Sequence, residues 1–218
     1  MVPAGSVQAE NGFLDTASQG QGTVDGPETL IRFGLTSRTE LRFSVPDYYY
    51  NVTAGDPSGF GDLALGVKQQ LGPVKGFDIS ATVFLTFPTG AGGISSGSYD
   101  PALQVAWSHG LSSKWTAAGM LSVYTPTVKG SHNVTGEATF LVDRQLAPIW
   151  DAILEYAGDF PERGGSRHLL HFATTLRLGK QQLQQIDFHY AVGLTPAAPA
   201  HYVGLGYSFR LQAIRHQP

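Results

Sequence analysis

The sequence predicts an all-β fold, a single antiparallel transmembrane β-barrel of twelve strands with short periplasmic turns and longer extracellular loops. Three observations lead there. Hydropathy alternates with a period of two along the chain, charged residues keep to one of the two faces so defined, and long connections alternate with short ones. The 218 residues are expected to form one domain, 1–218, with an irregular tail at 212–218.

The opening strand, around Val7 to Phe13, has the weakest pattern. Then Ile31, Phe33 and Leu35 alternate with Leu30, Arg32 and Gly34, and Leu41, Phe43 and Val45 with Glu40, Arg42 and Ser44. Leu63, Leu65 and Val67 stand against Asp62, Ala64, Gly66 and Lys68, and the run Phe77 to Phe87 against Asp78, Ser80, Thr82, Phe84 and Thr86. Leu103, Val105 and Trp107 alternate with Gln104 and Ala106, and Trp115, Ala117, Leu121 and Val123 with Thr116, Ala118 and Ser122. Ala138, Phe140 and Val142 oppose Glu137, Thr139 and Asp143, and Trp150, Leu154 and Tyr156 oppose Asp151 and Glu155. The last three strands set Leu170, Phe172 and Leu176 against His171 and Arg177, Ile186, Phe188 and Tyr190 against Asp187 and His189, and Val203, Leu205, Tyr207 and Phe209 against Gly204, Gly206, Ser208 and Arg210. A helix would need apolar residues at i, i+3, i+4 and i+7, which these stretches lack.

The chemistry of the two faces decides which one points inward. One is aliphatic and aromatic and carries no charge in any strand as delimited here. The other mixes Gly, Ala, Ser and Thr with Arg32, Glu40, Arg42, Asp62, Lys68, Asp78, Glu137, Asp151, Glu155, His171, Arg177, Asp187, His189 and Arg210, the expected polar lining of a lumen. A soluble sandwich would put the charged face outward, but that face would then be oddly rich in Gly and Ala. Strands of about ten residues fit a tilted crossing. Twelve of them, about 4.8 Å apart and tilted about 40°, enclose a circle roughly 24 Å across, leaving a free lumen of about 10 Å.

Short turns are expected at Ser37-Arg38, Gly72-Pro73, Gly110 to Ser113, Leu146 to Pro148 and Gly179 to Gln184. The longer connections run Ala17 to Glu28, Pro46 to Gly59, Thr89 to Asp100, Thr125 to Asn133 and Phe160 to Ser166, with Thr195 to Ala200 a short exception. An even strand number puts both termini on the short-turn side. Trp107, Trp115 and Trp150 lie beside short turns on the apolar register and, with Tyr207 and Phe209, form the expected membrane-interface aromatics.

Composition excludes several functions. Charged residues are only 14%, against roughly 25% in a typical soluble domain. A net charge of -3 leaves no basic footprint for nucleic acid. With no cysteine there is no disulfide, Cys-zinc site or thiol catalysis, which suits a chain that crosses an oxidising compartment. Residues Met1 to Gly5 do not read as a signal peptide, so a leader is expected to have been removed or omitted.

His168 and His171, three apart in a strand, point to opposite faces and do not form a metal pair. His171 and His189 face inward on neighbouring strands as network members. Ser108-His109 and Ser131-His132 cannot act as nucleophile and base, because adjacent strand side chains diverge. Asn51-Val52-Thr53 and Asn133-Val134-Thr135 match glycosylation acceptors incidentally, and Gly90-Ala91-Gly92-Gly93 opens no helix. Arg177 and Asp187, equidistant from a turn centred near Gln182, are expected to pair across strands. Phe84, Met120, Tyr124, Leu141 and Ile153 are apolar intruders on the inward register, either an apolar solute site or lumen packing.

Gly59-Phe60-Gly61-Asp62-Leu63-Ala64-Leu65-Gly66-Val67-Lys68, Pro88-Thr89-Gly90, Gly97-Ser98-Tyr99-Asp100-Pro101, Trp107-Ser108 and the closing Tyr202 to Arg210 resemble a bacterial outer-membrane barrel family named for the meta-pathway of phenol degradation. The resemblance spans nearly the whole chain and rests on turn and strand signatures. It implies movement of small, often aromatic, compounds across the outer membrane, and no catalytic residue. Gly204 to Phe209 is also similar to the C-terminal assembly signal of outer-membrane proteins, although this chain continues to Pro218.

The expected function is therefore an outer-membrane channel for passive uptake or efflux of small, aromatic or hydrophobic compounds, working as a monomer without cofactor or metal. Mixed lumen charges argue against strong ion selectivity. Its partners are the lipid bilayer, the outer-membrane assembly machinery and a small solute. The rivals are a barrel with a filled lumen in a structural or binding role, a barrel-embedded hydrolase, and a soluble ligand-binding barrel.

Overall fold

A computed structural model describes residues 1–218 except Gln19, Ala54 and 213–218. The expected tail from 213 onward lies outside the described residues. Gln212 is not irregular: it ends the last strand, opposite Ser6.

Every regular element is a strand among the described residues: β1 (Ser6–Ser18), β2 (Gln21–Gly26), β3 (Leu30–Gly34), β4 (Thr39–Ser44), β5 (Tyr48–Asn51), β6 (Gly59–Phe60), β7 (Leu63–Gln70), β8 (Phe77–Phe87), β9 (Asp100–Gly110), β10 (Trp115–Tyr124), β11 (Thr127–Val128), β12 (Ser131–His132), β13 (Thr135–Ala147), β14 (Trp150–Pro161), β15 (Arg167–Leu178), β16 (Gln184–Gly193) and β17 (His201–Gln212). β3 continues β2 after a break at residues 27–29, β5 continues β4 after 45–47, and β7 continues β6 after 61–62. Joined in this way, the main sheet is a ring of twelve antiparallel strands. β1 closes it against β17, from Ser6 opposite Gln212 to Ala17 opposite His201. Closure leaves no open edge whose N–H and C=O groups lipid would strand.

Three aligned breaks might be expected to leave backbone groups orphaned, and Pro27 and Pro46 have no N–H to offer. The gaps are stitched by Gly12 N–H to Pro27 O at 2.7 Å, Val45 N–H to Thr29 O at 2.8 Å and Gly61 N–H to Asp47 O at 2.8 Å.

The faces are inverted relative to a soluble protein. Phe13 and Leu121 are each 62% exposed, with Val83, Leu103, Phe140, Leu154, Phe172 and Leu205 also exposed on the outward register. Glu40 is wholly buried, and among the described hydrophobic residues only Val2, Ala117, Ala191 and Ala198 are buried. At about 25 cal/mol per Å² of apolar surface, such an exterior is stable only against hydrocarbon.

Some expectations need correction. The opening strand is among the longest, at 13 residues, because barrel closure pairs it on both sides although Ala9 and Asn11 gave its outward register little apolar signal. The expected loops Ala17 to Glu28 and Pro46 to Gly59 contain β2, β5 and β6, and Thr125 to Asn133 contains the β11–β12 hairpin. β2, β5 and β6 lengthen the barrel wall and turn Val24, Tyr48, Tyr50 and Phe60 outward. The outward register is also not free of charge. β13 runs on past Val142 and turns Arg144 outward, 5.1 Å above the Trp115 ring, and Asp15 faces outward near the loop end of β1. Both lie towards strand ends, where a charge reaches the interface.

Candidate functional site: the barrel lumen

Three charged strands build one wall. Arg32 on β3 donates through Nε to Glu40 Oε1 at 2.7 Å, through Nη2 to Glu40 Oε2 at 3.0 Å and through Nη1 to Glu10 Oε1 at 2.5 Å. Arg42 on β4 adds its Nε to Glu40 Oε1 at 3.0 Å, and the Val2 N–H donates to Glu40 Oε2 at 2.8 Å. A wholly buried carboxylate is tolerable because both oxygens are saturated by charge-assisted bonds. The Arg42 guanidinium also sits 5.7 Å from the Phe84 ring centre. Lys68 faces Glu40 across the β4–β7 ladder and has no carboxylate within ion-pair distance among the described residues.

The opposite wall is acidic. Around the ring β4 is followed by β7, β8, β9, β10, β13 and β14, so β4 and β14 face each other across half the circumference. β13 and β14 carry Glu137, Asp143, Asp151, Glu155 and Asp159 inward. Arg177 pairs with Asp151 at 2.6 Å and Arg167 with Asp159 at 2.9 Å. The expected Arg177–Asp187 pair does not form. The β15–β16 register sets Arg177 opposite Gln185 and Asp187 opposite Thr175, so the turn centre lies one residue earlier than its sequence suggested.

His171 and His189 join one network. His171 contacts Glu155 Oε2 through Nδ1 at 3.1 Å and Tyr202 Oη through Nε2 at 2.7 Å. The His189 ring meets Tyr202 edge-on at 5.8 Å, and its Nδ1 is 3.7 Å from Asp187. Gly204 and Gly206 make room, since a Cβ on either would collide with His189 or with the Asp187 carboxylate. His168 faces outward and bonds Tyr156 Oη at 2.5 Å. Among the described residues no group of three or more acidic or histidine side chains is placed to hold a metal ion.

Among the described residues, a series of cavities follows the lumen. At the terminus end, about 640 Å³ is lined by Met1, Arg38, Lys68, Gln70, Asp78 and Ser80. A central space of about 580 Å³ contains Glu10, Glu28, Leu30, Ile153, Asp187 and His189. Leu30 also borders a space of about 460 Å³ with Phe84, Ala102, Tyr124, Glu137 and Asp159, and Glu28 also borders a loop-end space of about 650 Å³. Phe84 and Tyr124 both lie opposite Ala102, one on each side. Two strand spacings put their backbones about 9.6 Å apart, with only a methyl between them, enough for a flat ring. Gly66 lies beneath the Phe84 ring, where a Cβ would come within 2.5 Å of it.

The other three apolar intruders lie apart from this slot, on a diagonal. Ala118 faces Leu141 and Met120 faces Thr139 on β13, and Leu141 faces Glu155 two residues from Ile153 on β14. Arg210 stands opposite Gln8 on β1. Asp62 does more than line the lumen: its oxygens accept the Gly90 and Ser96 amides at 2.8 and 3.0 Å and so anchor the 89–96 loop on the rim. Burial alone would raise its carboxyl, but hydrogen bonds from Ser95 and from the Gly90, Ser96 and Thr89 backbone outweigh that and hold it below the usual carboxylate range. Trp150 and Tyr207 face outward, with Trp150 Nε1 donating to Thr174 Oγ1 at 2.6 Å and Tyr207 Oη to Gln184 Oε1 at 3.0 Å.

Sequence reasoning missed Glu10, Asp25, Glu28, Tyr49, Asp159 and Tyr202 as lumen polar groups. Glu10 and Tyr202 were legible from register parity. Asp25, Glu28 and Tyr49 lay in segments read as loops.

An inverted, closed ring of twelve strands around a charge-mixed interior is the architecture of outer-membrane channel barrels. The chain belongs to the family described as "Putative MetA-pathway of phenol degradation", which it matches over residues 1–211. No curated protein matches it. Its fold is similar to that of the COG4313 outer membrane channel from Pseudomonas putida F1, at 16% identity and a TM-score of 0.71 over 97% of each chain. It is also similar to the NanC porin, at 8% identity and 0.66 over 94% of this chain and 100% of that one. A further likeness is to the CymD monoaromatic hydrocarbon channel, at 8% identity and 0.53 over 100% and 90%.

Proposed function

We propose that the protein is a monomeric outer-membrane channel that lets small aromatic or hydrophobic compounds diffuse passively through its lumen. The observation that carries this reading is the Phe84–Ala102–Tyr124 slot, which opens onto a space that meets the central cavity at Leu30. A flat ring entering it lies between the Phe84 and Tyr124 side chains, while Glu137 and Asp159 nearby accept a hydrogen bond from a ring substituent. The opposed basic and acidic walls set a transverse field that turns a dipolar solute as it passes. The fold's likeness to a monoaromatic hydrocarbon channel agrees with this choice of solute class. Met120, Leu141 and Ile153 form a second apolar stripe along the same path. Uptake and efflux are equally served, because diffusion follows the gradient.

The test is flux into proteoliposomes of a small neutral aromatic against a sugar of equal size. The reading expects the aromatic to enter faster, and Phe84→Ala with Tyr124→Ala to remove that preference. Equal flux of both solutes, or a preference unchanged by the double variant, would refute it.

A further inference from the structure

Three carboxylates line the loop-end cavity. Its walls include Asp25 on β2, Glu28, Asp62, Tyr49 on β5 and the apolar side chains of Leu14 and Ile94, with no Lys, Arg or His lining it among the described residues. Asp62 is occupied with the rim loop. Asp25 is not occupied. It is 93% buried on the inward register, opposite Leu14, and has no hydrogen-bond or ion-pair partner among the described residues. Asp47 lies close enough to add like charge; its carboxylate accepts the Thr29 and Glu28 amides, while its Oδ1 is buried without a partner. Elsewhere in this lumen the buried carboxylate of Glu40 is saturated by two guanidinium groups and an amide. The contrast marks the loop-end cavity as a place where a positive charge is missing.

We propose that this cavity is a binding site for an organic ammonium ion, a protonated or quaternary amine with a small apolar body. A bare metal ion is the poorer fit, because no three of these carboxylates converge to coordinate one. An ammonium carried on a hydrocarbon frame suits the site better. Its charge is met by Asp25 and Glu28, its body lies against Leu14 and Ile94, and the Tyr49 ring offers a cation–π face. Tyr49 is held in place over Gly61, where a Cβ would fall 2.9 Å from its ring. Glu28 has a positive φ of 42°, which turns its carboxylate inward over Gly12, and it borders both this cavity and the central one. This site stands independently of the aromatic slot and of the channel reading.

The experiment is calorimetric titration of the full chain, in an uncharged detergent, with phenyltrimethylammonium, with benzyl alcohol as the neutral analogue and with calcium. The proposal expects saturable binding of the ammonium, at least tenfold weaker binding of benzyl alcohol, and no displacement by millimolar calcium. It expects Asp25→Asn to weaken ammonium binding at least tenfold and Glu28→Gln to weaken it several-fold, each variant still showing the heat-modifiable migration of a folded barrel. Absent ammonium binding, unchanged affinity in both folded variants, or calcium binding in the same site would overturn it.

Discussion

Arg32 and Glu40 are joined by two hydrogen bonds, of 2.7 and 3.0 Å, on the inner wall of the barrel, where the Glu40 side chain is wholly shielded from solvent. In a soluble barrel that position would hold a leucine. Here the same carboxylate also receives Arg42 and the Val2 amide, so its removal leaves two guanidinium groups without their shared partner. Glu40→Ala is expected to cost about 3–5 kcal/mol of stability, read from urea unfolding in lipid vesicles. Glu40→Gln, which keeps the shape but not the charge, should be less costly than Glu40→Ala and still less stable than the parent.

A second expectation separates the two faces of one strand. Leu121 and Ser122 are neighbours on β10, the first 62% exposed outward and the second 5% exposed inward. Leu121→Arg places a charge in hydrocarbon and is expected to destabilise the barrel by about 2–4 kcal/mol. Ser122→Asn adds a larger polar group on the inner wall, beside the cavity that Ser122 lines, and should change solute passage more than stability. Vesicle unfolding and flux measured on the same two variants check this.

The pairing of Arg177 yields a third. Because it lies 2.6 Å from Asp151 and opposite Gln185, coupling should appear with Asp151 and be absent with Asp187. In a double-mutant cycle, Asp151→Ala and Arg177→Ala are expected to be non-additive, whereas Asp187→Ala and Arg177→Ala should add.

Acidity should loosen the rim. The Asp62 carboxyl is held below its ordinary value, so its anchoring of the 89–96 loop is complete above about pH 4 and is lost as pH falls through its folded value. Asp62→Asn removes the same anchor at every pH. Limited proteolysis of the loop is expected to quicken in Asp62→Asn at neutral pH, and in the parent only in strong acid.

Strand alternation made the twelve-fold ring legible, because each crossing must present a continuous apolar face to lipid and the period of two exposes it directly. Lumen residues such as Arg32, Glu40 and Glu155 followed from parity alone. What escaped did so for physical reasons. β2, β5 and β6 do turn Val24, Tyr48, Tyr50 and Phe60 outward, but at six, four and two residues they are too short for a period of two to stand out. The breaks at Pro27 and Pro46 hid the continuity of their strands. Arg144 was missed because a charge at a strand end can lean on Trp115 and reach water. The Arg177 partner depended on a turn whose register differs by one residue at its centre, and sequence spacing alone does not fix that.

The central claim is that the oily face looks out and the ionised face looks in. The chain has no cysteine, so a single introduced thiol reports one position without background. Nitroxide labels at Leu121→Cys and at Ser122→Cys, in lipid vesicles, can be compared for relaxation by dissolved oxygen and by a water-soluble nickel chelate. The account predicts that the label at 121 responds to oxygen and ignores nickel, and that the label at 122 does the reverse. Nickel access at 121 with oxygen-dominated relaxation at 122 would contradict it.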